Sequence, residues 1–82
     1  MISNNNELYS LIRNLANELQ LRNEIKWSDA LLQALSISTL PGEILGEIRL
    51  NLRRLKATDI MSRLQCERQV EDALQYLDTM LG

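Results

Sequence analysis

A chain of 82 residues is enough for one domain and too short for two, so residues 1–82 are read as a single helical domain. Nine basic and eleven acidic side chains leave a formal charge of −2, which excludes the global basic bias that nucleic-acid binders use against phosphates. One cysteine, Cys66, and no histidine exclude an intramolecular disulfide, Cys/His zinc sites, and serine–histidine or cysteine–histidine nucleophilic pairs.

Apolar residues make up 45% of the chain, which suffices for a core. Leucine and isoleucine dominate, phenylalanine is absent and Val70 is the one valine, a mixture that favours helix over sheet. No apolar run approaches the roughly 20 residues that cross a bilayer. The segment from Met1 to Asn6 has no positive region followed by an apolar stretch. No signal peptide is therefore expected, and the cytoplasm is the default location.

The first helix is predicted from about Asn5 to Leu21. Leu8, Leu11, Ile12, Leu15 and Leu19 recur at the spacing of one helical face, with Tyr9 and Ala16 on its shoulder. Asn4 is in position to cap it, with Glu7 three residues on, and Asn23 suits the left-handed stop.

The second helix is predicted from about Glu24 to Ser36. Lys26, Asp29, Gln33 and Ser36 share one narrow polar arc, while Ile25, Trp27, Ala30, Leu31, Leu32, Ala34 and Leu35 occupy the rest. An apolar arc this wide predicts a central helix with neighbours on two sides, and Trp27 as a core anchor.

Residues 36–42 are the clearest break. Ser38 or Thr39 is expected to cap a third helix from Pro41 to Lys56, with Pro41 in its first turn. Its predicted core stripe is Ile44, Leu45, Ile48, Leu52 and Leu55. Glu43 and Glu47 lie towards the positive end of the helix dipole, and Arg53, Arg54 and Lys56 at the negative end. Gly46 inside the helix points to a close helix crossing.

Thr58 or Asp59 is expected to cap the last helical region. Ile60 and Leu64 lie about a third of a turn away from the stripe Val70, Ala73, Leu74, Leu77 and Leu81. A straight helix would point its two halves at different surfaces, so a short helix is expected to break near residues 65–67 before a final helix of about fifteen residues. The expected fold is thus all-α, a compact antiparallel bundle of four helices with its last region kinked or broken.

Arg49, Arg53 and Lys56, with Arg54 beside them, form the one basic cluster. Such a cluster is expected at a helix C-terminus without any ligand, and it is also the edge a nucleic-acid regulator would use. Ala30 to Asn51 has the length of a helix-turn-helix, but its second helix would open with Pro41, Gly42, Glu43 and Glu47, which repel phosphates. Glu43, Glu47, Glu67, Glu71, Asp72 and Asp78 read as solvated carboxylates, with Arg68 and Asp72 spaced for an i,i+4 pair. Inward-facing metal sites in bundles usually combine glutamates with histidine, which is missing, so no metal, cofactor or small-molecule substrate is inferred. Cys66 is expected to be a buried, inert thiol.

Leu50 points almost opposite the Ile44/Ile48/Leu52 stripe, where solvent is expected. Leu21 and Met61 are likewise off-pattern. Single exposed apolar residues need no explanation, whereas a contiguous patch marks an interface. The functional expectation is a small non-catalytic protein–protein interaction module of inhibitor, immunity-type, adaptor or regulatory-subunit kind. Its partner would be another protein or its own copy, bound through Leu50 and the Arg49, Arg53 and Lys56 edge, with Ile25 and Leu32 either adding to that surface or serving the core of a two-sided helix. The alternative is a nucleic-acid-associated regulator using Arg49 to Lys56.

Overall fold

The computed structural model describes residues 1–82 and is all-α, with five helices and no strand. Helix α1 spans Asn5–Leu21, α2 Ile25–Ser36, α3 Pro41–Lys56, α4 Ile60–Leu64 and α5 Glu67–Leu81. No helix is long and apolar enough to cross a membrane.

The ends of α1 follow from two asparagines. Asn4 Oδ1 accepts the Glu7 backbone N–H at 2.9 Å, while Glu7 Oε1 reaches back to the Ser3 N–H at 2.8 Å. This is a capping box shifted by one residue, since the glutamate serves the residue before the cap. At the other end Asn23 takes φ 66. There the Glu24 N–H returns to the Leu19 carbonyl at 2.8 Å and the Asn23 N–H to the Gln20 carbonyl at 3.0 Å, the paired bonds of a Schellman motif.

The predicted break divides the last region into α4 and α5. Gln65 sits at φ 55, and the Cys66 N–H bonds the Met61 carbonyl in the same type of motif. The turn lets α4 bury Ile60 and Met61 while α5 buries Val70, Ala73, Leu74 and Leu77. Met61, expected at the surface from its phase, is thus a core residue.

The core is built mainly from α1, α3 and α5. α1 contributes Leu8, Ile12, Leu15, Ala16 and Leu19, and α3 contributes Leu45, Ile48, Leu52 and Leu55. α2 packs on α1 and α3, so it does have two neighbours, but it is not central. It buries only Ser28, Leu31 and Ala34, leaves Ile25 and Leu32 each 43% exposed, and holds Trp27 half-buried at the edge of the core. The reason is geometric: two neighbours on the same side of a helix cover one inner arc, and an apolar residue outside it stays in water.

The expected cap of α3 is corrected, while the N-cap of α4 falls on Asp59, one of its two candidates. Ser38 Oγ accepts the Leu40 N–H at 3.0 Å, so it orders the turn, while Leu40 occupies the N-cap of α3 without a side-chain bond. Thr58 Oγ1 donates to the Leu55 carbonyl at 2.7 Å and accepts the Ile60 N–H at 3.2 Å, joining α3 to α4 while Asp59 stands at the N-cap.

Candidate functional site

Helix α3 presents two surfaces besides its buried stripe. The first faces α5. Arg49 Nη1 and Arg53 Nη2 both donate to Asp78 Oδ1, at 3.3 and 3.0 Å. Arg53, Lys56 and Asp78 border one open depression with Ala57 and Leu74. Three of the four sequence-predicted site residues are therefore gathered on this edge. Their arrangement is a strap between α3 and α5, because one carboxylate draws two guanidinium groups to it. Lys56 and Arg54 make no ion pair.

The second surface is the outer face. Successive residues turn by about 100°, which places Gly42, Glu43, Gly46, Leu50, Arg53 and Arg54 together opposite the core stripe. Leu50 is 41% exposed, as its phase predicted. A Cβ added at Gly42 or Gly46 would meet nothing within 4 Å. Gly46 is therefore not the site of an internal close crossing. It lies on the open side of the helix, one turn before Leu50, with its backbone uncovered by a side chain of its own. The fourth predicted site residue thus borders the basic edge, one i,i+3 step from Arg53, and faces outward rather than towards α5.

The remaining reactive groups are occupied or dispersed. Cys66 is buried, with its Sγ 3.7 Å from Met61 Sδ. Burial first, and then the charges of Glu67 and Glu18, push its thiol above the ordinary value, so the thiolate that would react is disfavoured. No group of three or more Cys, Asp and Glu side chains converges in metal-holding geometry. Arg68 and Asp72 form no ion pair. Arg63 instead joins Glu24 at 3.3 Å and Asp59 at 3.4 Å, and Arg22 pairs with Glu18 at 3.5 Å.

Three features carried no signal in the sequence. The Tyr76 hydroxyl hydrogen-bonds Asn5 Oδ1, fastening α5 to the first turn of α1. Glu24, at the start of α2, meets Arg63 of α4. Ser28 is 1% exposed and its hydroxyl has no hydrogen-bond partner. Each depends on how one helix is rotated against another, which periodicity within a helix does not report.

Comparison of the chain with protein-family models, with curated proteins and with solved structures returns no match.

Proposed function

We propose that the chain is a small non-catalytic module that binds a protein through the outer face of α3, with Leu50 at the centre of the contact. The observation that carries this reading is an exposed leucine one turn from a glycine with open space beside it, on the outer face of α3. An apolar knob beside a hole is the unit from which helix–helix seams are assembled. Inhibitor, immunity-type, adaptor and regulatory-subunit roles all use such a face. The basic edge supports this reading over a nucleic-acid one, because Arg49 and Arg53 spend their charge on Asp78 and are held against α5. We place the module in the cytoplasm, since a lone free cysteine is the usage of a reducing compartment.

The test compares tagged wild-type protein with Leu50→Glu in capture from the source cells, read by quantitative mass spectrometry. A central leucine of an interface is expected to cost the complex about tenfold or more in affinity when replaced by a charge. At least one protein, or untagged copies of the chain itself, should then be depleted from the Leu50→Glu capture. Equal recoveries for both baits would overturn the reading.

A further inference from the structure

We infer that the outer face of α3 is a self-complementary dimer interface, in which α3 of two copies cross antiparallel about a two-fold axis near Ile48. This deepens the proposed function, on which it rests, by naming the partner as a second copy of the chain.

The order of residues along the face sets the register of such a pair. In a two-fold pair each contact occurs twice, with residue i of one copy on residue j of the other and the reverse. With the axis level with Ile48, position 46 lies opposite 50. Leu50 then lies against the bare backbone at Gly46 of the partner subunit, and the partner's Leu50 against Gly46. Neither glycine on this face has a neighbour within 4 Å of where its Cβ would stand, so a second backbone can approach closely.

The charges then fall into register without further adjustment. Glu43 precedes the axis by five residues and Arg54 follows it by six, about 7.5 and 9 Å along a helix. Both lie on the same flank of the face, about 20° apart around the helix. A two-fold axis perpendicular to the helices keeps each flank on its own side, so Glu43 meets Arg54 of the partner subunit. Both side chains are exposed and neither makes an ion pair within its own chain. A parallel arrangement, whose two-fold runs along the helices and exchanges the flanks, would bring no opposite charge to Glu43 or to Arg54. The antiparallel helix dipoles favour the same arrangement. On the opposite flank, Arg53 is bound to Asp78 at 3.0 Å and its stem lies across from the open position at Gly42 of the partner subunit. A single seam of this length falls at the low end of interface areas, below about 1,200 Å², so the dimer forms weakly and dissociates on dilution.

The experiment is sedimentation equilibrium on the full chain from micromolar to millimolar concentration. The wild type should follow a monomer–dimer equilibrium. Glu43→Arg and Arg54→Glu should each weaken it about tenfold or more, since each sets like charges together twice. The double variant Glu43→Arg/Arg54→Glu should recover the wild-type constant to within a few-fold, and mixing the two single variants should give a heterodimer. Loss of a helix-dipole interaction would add in the double variant rather than cancel, so recovery separates the interface from any effect on folding. Circular dichroism should show unchanged helicity throughout. A wild type that stays monomeric, or a double variant as weak as the single ones, overturns the inference. If the wild type is monomeric while Leu50-dependent capture of a different protein persists, only the second copy is refuted. If both fail, the binding face itself is refuted.

Discussion

Ser28 is the least comfortable residue in the molecule. Its side chain lies in the interior on α2, and its hydroxyl finds neither the Glu24 carbonyl one turn back nor a group on a neighbouring helix. A hydroxyl that has left water without a partner costs roughly 1–3 kcal/mol, whereas a methyl group in its place packs without that penalty. Alanine also has the higher helix propensity. Ser28→Ala is therefore expected to raise stability by about 1 kcal/mol, seen as a higher urea midpoint with an unchanged m-value. A lower midpoint would mean that the hydroxyl has a partner in solution. Leu50 and Met61 show how far single residues were legible. Both were off-pattern by phase. Leu50 is exposed because α3 runs unbroken for 16 residues, long enough for phase to hold, while Met61 is buried because α4 is a short helix of 5 residues ended by the Gln65 break. Phase predicts exposure only along an unbroken helix.

Element boundaries were legible wherever a residue had a local backbone task. Asn4, Asn23 and the break at residues 65–67 follow from capping chemistry and from the phase change between Leu64 and Val70. The position of α2 was not legible, because apolar content does not say on which side the neighbours stand. Gly46 was misassigned for the same reason: a glycine within a helix permits a close approach without showing that one occurs. The break itself is made from an unfavourable residue. Gln65 holds φ 55 with a Cβ that the left-handed region disfavours by about 1–2 kcal/mol, where helices commonly use glycine. Gln65→Gly removes that strain and keeps both return hydrogen bonds, against a larger loss of backbone entropy on folding. The balance should favour the variant by about 0.5–1 kcal/mol, measurable as a higher thermal midpoint. A lower midpoint would show that the Gln65 side chain contributes more to the turn than the left-handed backbone costs.

At the scale of the whole molecule, links between elements distant in sequence hold the exposed face of α3 in place. Asp78 of α5 fastens Arg49 and Arg53, and Tyr76 fastens α5 to the first turn of α1. These links were not legible, since the charged positions were visible one helix at a time and their alignment across the bundle was not. The Asp78 strap also decides what the basic edge of α3 is for, because its two possible uses respond oppositely to losing the carboxylate. If the arginines serve the fold, Asp78→Asn leaves two cations beside Lys56 and Arg54 with no counter-charge, and stability falls. Asp78 and Arg53 are 52% and 58% exposed and only Arg49, at 24%, is more sheltered, so the loss should stay below about 1 kcal/mol. It should shrink further at about 1 M salt, where the screening length drops to about 3 Å. If instead the edge bound nucleic acid, Asp78→Asn would add local positive charge and tighten that complex, with a steeper dependence on salt. We expect the first outcome: a small, salt-sensitive loss in denaturant titrations, and no retardation of DNA or RNA by either protein. Tight, salt-dependent retardation that increases in Asp78→Asn would reassign the edge from holding α3 against α5 to holding phosphates.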